Sequence, residues 1–179
     1  MKFGHFRRSP KQDNIAALYG TIVAQARSPV FYRNYGVSDT VTGRLELVLL
    51  HTYLFCRRVA AEEGATRGLG QSIFDLFCRD MDGNLREIGV GDLSVPRHMR
   101  RIGEAFYGRA AVYTPALAAS DERGLSQVLM RNVFSGQAEK AEGARRLTDY
   151  TIAADRHLAR LADADLVQGH VSFPDPESV

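Results

Sequence analysis

Cysteine is scarce: only Cys56 and Cys78 occur among 179 residues, and neither belongs to a CxxC pair. No disulfide framework can be built from them, and both sit inside apolar helical stripes. They read as buried small hydrophobes of a reducing compartment. An excess of one charge is lacking too, since 23 Lys and Arg against 21 Asp and Glu leave a net charge of +2. That balance is too weak to argue nucleic-acid binding, and no sequence-specific nucleic-acid partner is expected. The longest apolar run, Leu47 to Cys56, is interrupted by His51 and falls far short of the ~20 residues that cross a bilayer. Lys2, Arg7, Arg8 and Lys11 are not followed by a long apolar stretch, which argues against a secretory leader, and a mitochondrial presequence would be longer before the folded domain begins. The expectation is a soluble protein.

Catalytic and ligand-binding motifs are missing as well. DMDGN invites a calcium loop, but counting from Asp80 puts Leu85 at the glycine position and Gly91 where a bidentate Glu is needed. GVGD lacks the third glycine and the strand of a dinucleotide fingerprint, and no GKS or GKT occurs. His51, His98, His157 and His170 are scattered, without HExxH or an i, i+4 pair. No GxSxG elbow is present, and no CxxCH offers a haem attachment. No cofactor and no enzymatic activity are expected. A metal-dependent enzyme built around His51 and nearby carboxylates such as Asp80 or Glu87 stays as an alternative.

What is present is helical periodicity. Ser9, Pro10 and Gln12 start a helix as N-cap, first residue and capping-box partner, and Ile15, Leu18, Tyr19, Ile22, Val23 and Ala26 carry its stripe to about Arg27. Ser28 and Pro29 start a short aromatic helix that stops at Gly36. A helix from about 41 to 62 contains LELVLLHTYLFC, apolar on nearly every side, and belongs at the centre of a bundle. His51 within it reads as a hydrogen-bonded core histidine. Further helices are expected at about 67–83, from Ser94 toward Tyr113 with Pro115 as an end or kink, from Asp121 to Ser135, and from 137 to 162. The sum is an all-α, single-domain bundle of six to seven helices over 9–163, preceded by a 1–8 extension and followed by a loosely ordered 164–179 tail.

The stretch from Gln71 to Arg109 is the most informative. Two helical stripes flank a connector in which Asp80, Asp82, Arg86, Glu87 and Asp92 fall among Gly83, Gly89 and Gly91. Either it is solvated, or it is packed and its arginines meet carboxylates, because a buried unpaired charge is costly. Nearby, Arg97, His98, Arg100 and Arg101 read as a solvated helix face that could also meet an acidic surface. DMDGNLREIGVGDLSV followed by EAFYGR resembles the signature of the ubiquinol–cytochrome c chaperone family, whose mitochondrial members assist assembly of the cytochrome bc1 complex. YGTIVAQARSPVFYRNYGVSDTVTGRLELVLLH is similar to the family's opening block, so the resemblance spans roughly Leu18 to Leu117.

The resemblance implies a non-enzymatic chaperone that holds newly made cytochrome b during biogenesis of the bc1 complex. It implies a cytoplasmic location, extending to the inner face of the membrane, with membrane contact made only through the client. Mitochondrial members act with a small partner protein and near the ribosomal exit; a chain without a presequence looks like a bacterial form, for which both contacts stay open. A helical adaptor or homodimerisation module without a membrane-protein client is the other alternative. A holder needs exposed apolar surface, and this is expected on Val30, Phe31, Tyr32, Tyr35 and Val37, joined by Phe106 and Tyr107. The same aromatics could instead be core anchors with tyrosine hydroxyls at the rim. The polar residues Asp39, Arg44, Asp80, Asp82, Arg86, Glu87, Asp92 and Arg109 are expected to pin the helices together, so that Arg86→Ala weakens folding.

Overall fold

The structure is a computed structural model that describes residues 10–60 and 64–179. Every regular element among them is helical: α1 (Pro10–Ala26), α2 (Pro29–Arg33), α3 (Val41–Ala60), α4 (Leu69–Glu87), α5 (Val95–Ala118), α6 (Glu122–Val133), α7 (Ala141–Ala159) and α8 (Asp163–Val167), with a 3-10 turn at Ala138–Lys140 before α7. The proposed Ser9 cap, the 1–8 extension and the end of the central helix at 61–62 lie outside the described residues.

α3 is the axis of the bundle. Leu47, Leu49, Leu50, Leu54 and Phe55 are buried on successive faces, so the helix needs neighbours all round, and α1, α4, α5, α6 and α7 supply them. The apolar run therefore does what its lack of a polar side demands. α1 lays Leu18, Ile22 and Ala26 against it, while Tyr19 donates a 2.8 Å hydrogen bond to Asp80 of α4.

α4 corrects the expected connector. It passes straight through Gly83 and continues to Glu87, so Asp80, Asp82, Arg86 and Glu87 are helical residues. Gly83 weakens a helix interior without breaking it. The true stop is Gly89, at φ +88°, where the Gly89 amide returns to the Arg86 carbonyl and the Val90 amide to the Leu85 carbonyl. That pair of bonds is the glycine-dependent termination that closes many helices. Pro115 likewise fails to end α5, which runs on to Ala118. Asp121 caps α6 by accepting the Gly124 amide at 2.8 Å.

The expected long last helix is divided, ending at Ala159 instead of 162. Arg58 of α3 accounts for its end: its guanidinium donates to the Leu158 and Leu161 carbonyls and to Asp163, at 2.7–2.9 Å. Gly143, early in α7, is required by contact, since a Cβ there would lie 2.1 Å from the Tyr35 carbonyl oxygen.

The tail is not loose. After α8 it crosses the open side of α1 and α2 as a strap. Gln25 donates to the Pro174 carbonyl at 3.0 Å and Tyr35 to the Pro176 carbonyl at 2.8 Å, and the Phe173 ring stands 5.3 Å from that of His51. Carbonyl acceptors and single aromatics have no period, which is why no pattern announced this packing.

Candidate functional site

A groove opens between the start of α3, the end of α4 and the second turn of α5. Val41, Leu45 and Val48 form one wall and Met81, Leu85 and Ile88 the other, each a stripe at i, i+4, i+7, with Ile102 closing the floor. Residues at that spacing lie one above another on a helix, so two parallel apolar ribs face each other. The groove encloses about 240 Å³. Val41 is 76% and Ile88 67% exposed, so its lips are aliphatic and wet. Exposed apolar ground rimmed by polar groups marks an interaction surface.

One end of the groove is cationic. Arg27 and Arg44 stand there, and they continue into a second cleft with Tyr32 and Arg33. Arg44 is held by Asp39 at 2.7 Å, and that hydrogen bond keeps the Asp39 carboxyl below its usual range. Burial raises the Tyr32 phenol, so it stays a neutral donor, and it donates to the Ala26 carbonyl.

The aromatic residues expected to form the outward surface are mostly interior. Phe31, Tyr35, Val37 and Phe106 are buried, and Val30 and Tyr32 are partly covered. The reason is α2 itself: it plugs the bundle with Phe31, whose ring meets Tyr35, His51 and Tyr150 edge-on at 4.9–5.4 Å. Tyr107 alone of the seven is largely exposed, at 61%, beside Phe74 and Phe106.

The eight polar residues do not make one joint. Asp39 pairs with Arg44, Asp80 accepts from Tyr19, and Arg86 bridges Asp82 and Asp92 on the surface. Glu87 is exposed and makes no ion pair among the described residues. Arg109 is different: it grips Glu46 of α3 with both arms of its guanidinium, one at 2.7 Å, and also donates to the Ala105 carbonyl. Burial pushes the Glu46 carboxyl up while the Arg109 hydrogen bonds pull it back. Glu46, the decisive partner, is not among the eight. A lone acid inside an otherwise apolar helical run was the signal, since it must be paired somewhere.

His51 is a core histidine. Its Nδ1–H donates to the Leu47 carbonyl at 2.7 Å, so its Nε2 accepts from the Tyr150 hydroxyl at 2.8 Å. Tyr150 in turn accepts from Gln25 at 3.0 Å. Both ring nitrogens are thus used within the core, and of the carboxylates named with it Asp80 accepts from Tyr19 while Glu87 is exposed. Among the described residues no three His, Cys, Asp or Glu side chains converge as metal ligands. Burial pushes the Cys56 thiol up to about 12, away from reactivity.

A family profile described as "Ubiquinol-cytochrome C chaperone" matches residues 33–173. The chain belongs to the ubiquinol–cytochrome c chaperone family. The match starts later than the sequence resemblance and runs well past Leu117, through the strap to Phe173. A curated Xenopus laevis relative, ubiquinol-cytochrome-c reductase complex assembly factor 1, is 24% identical over 155 residues, covering 86% of this chain and 77% of its own. Among solved structures, the Cbp3 homolog from Brucella abortus superposes with a TM-score of 0.87 at 35% identity, over 95% of this chain and 93% of that one. The all-α bundle is thus the architecture of a ubiquinol–cytochrome c chaperone. The groove walls on α3, α4 and α5 lie wholly inside the matched segment.

Proposed function

We propose that this ubiquinol–cytochrome c chaperone acts in assembly of the ubiquinol–cytochrome c reductase, or bc1, complex. Its client is newly made cytochrome b, held by an apolar segment in the groove between α3, α4 and α5. Family membership supports the assembly role, and the groove supports the mode of holding. The observation that carries it is an apolar groove whose lips, Val41 and Ile88, stand open to water on a domain whose other large apolar side chains are mostly buried. A helix from a membrane protein has apolar side chains on the same three-and-four spacing, and such a helix lies well in a groove of this kind. No helix among the described residues is long and apolar enough to cross a membrane, so the shielding falls to a surface.

The test is affinity purification of the tagged chain from membranes solubilised in mild detergent. Wild type should recover cytochrome b, and Val41→Glu with Leu85→Gln should recover about tenfold less, since charge in an apolar contact removes a central anchor. The melting temperature of the variant is followed in parallel. Equal recovery by a folded variant moves the client elsewhere. Recovery of other soluble proteins without cytochrome b favours an adaptor, and a solution mass of two chains that falls to one in the variant favours a self-covering groove.

A further inference from the structure

The turn after α4 leaves aliphatic side chains uncovered at one corner. Gly89 reverses the chain, and within the next few residues Leu93 is fully exposed. α5 then begins at once, and its outer face carries Arg97, Arg100 and Arg101 at spacings of three and four. From Leu93 to Arg101 there is no acidic residue, and Asp92, just before the tip, is paired with Arg86. Arg97 and Arg101 make no ion pair among the described residues, and Arg100 has only Glu104, 3.4 Å away, with both side chains mostly in water. The exposed Tyr107 continues the same face two turns further on.

We propose that this corner, with Leu93 at its tip and Arg97, Arg100 and Arg101 behind it, docks directly on an anionic lipid bilayer. The chemistry has two parts that one occupant satisfies. A single aliphatic tip, even counted together with Ile88, offers far less than the ~800 Å² per partner that a specific protein interface buries. It suits insertion at the level of lipid headgroups, where apolar burial and attraction to anionic lipid add. Arginine is the suited cation, because its planar fork takes phosphate oxygens in pairs. A nucleic acid would use the arginines but would leave Leu93 in water. Ile88, which ends one rib of the groove, precedes Leu93 by five residues. The inference rests on this surface alone, and direct lipid contact replaces the expectation of membrane contact through the client only.

The experiment is flotation of the full chain, without client, on vesicles of phosphatidylcholine and of phosphatidylcholine mixed with phosphatidylglycerol. The chain should float with the anionic vesicles only, and less so as salt is raised, because exposed charges are screened. Leu93→Asp should reduce the bound fraction about tenfold, the effect of removing one buried leucine, whereas Leu93→Phe should keep it. Replacing Arg97, Arg100 and Arg101 by Glu should abolish it, and a milder Gln series serves if the Glu series is unstable. All these side chains are exposed, so circular dichroism and melting should be unchanged. Absence of flotation, equal flotation on neutral vesicles, or binding indifferent to Leu93→Asp each overturns the proposal. Retention on soluble polyglutamate without vesicle binding also overturns it, in favour of an acidic macromolecule. The groove variant keeps this corner intact and should float normally, so failure here and failure of client capture are read separately.

Discussion

At the scale of single residues, His51 is the side chain whose environment does most. It lies inside a chain of hydrogen bonds from Gln25 through Tyr150 to the Leu47 carbonyl, and burial lowers its pKa from 6.5 to about 4, against the opposing pull of that carbonyl. The unfolded chain therefore takes up a proton first as pH falls below 6.5. His51 makes its full contribution above 6.5, and between 6.5 and about 4 the fold loses up to about 1.4 kcal/mol per pH unit from this residue. Glu46 acts the other way, because its carboxyl is raised in the fold and gains a proton there first. The informative quantity is therefore the difference between wild type and His51→Gln in urea unfolding. The variant should be less stable at pH 7, and the gap should narrow steadily as pH is lowered from 6.5 to 4. A gap constant over that window would mean His51 is not held neutral.

Between elements, one ion pair matters and another does not, and the sequence could not rank them. Arg86 and Arg109 look alike on paper, each an arginine of the same signature. Because α4 extends past Gly83, Arg86 turns to the surface, 48% exposed beside Asp82 and Asp92, and exposed pairs contribute little. Arg109 instead joins α5 to α3 through Glu46, with both side chains largely covered. Arg109→Ala should destabilise by about 3–5 kcal/mol, because it strands a buried carboxylate. The paired change Glu46→Leu with Arg109→Met should recover most of that loss, and Arg86→Ala should leave the melting temperature almost unchanged, reversing the expectation from sequence. Equal effects of the two alanine variants in urea titrations would contradict this assignment. The long stripes of α1, α3, α6 and α7 were legible because apolar spacing over three or more turns has one solution. α2 was not, since its five residues are too few for a period to say which way Phe31 and Tyr32 face. The groove escaped notice for a related reason: Met81, Leu85 and Ile88 continue the apolar face of α4 that buries Ile73 and Phe77, and only the packing of α5 decides where cover ends.

For the molecule as a whole, the least legible part is the strap, and it closes the core. Without residues 170–179 the His51 ring would lose Phe173, and Gln25 and Tyr35 would lose the carbonyls of Pro174 and Pro176. The family profile ends at Phe173, which accords with the strap belonging to the domain and not to an appendage. Truncation after Gly169 should cost about 2–4 kcal/mol, the sum of one partly buried aromatic and two hydrogen bonds. It should also let water reach His51, so that its pKa returns toward 6.5 and the acid sensitivity described above moves to higher pH. Removing only Glu177, Ser178 and Val179, all exposed, should change neither. Urea unfolding at two pH values separates the possibilities: a long truncation as stable as the full chain would show that the tail merely rests on the bundle. A loss of stability without any shift in the His51 titration, followed by NMR, would show that it binds without sealing the interior. The groove is walled by α3, α4 and α5 with no strap residue in its lining, so the long truncation should leave client recovery per folded molecule intact.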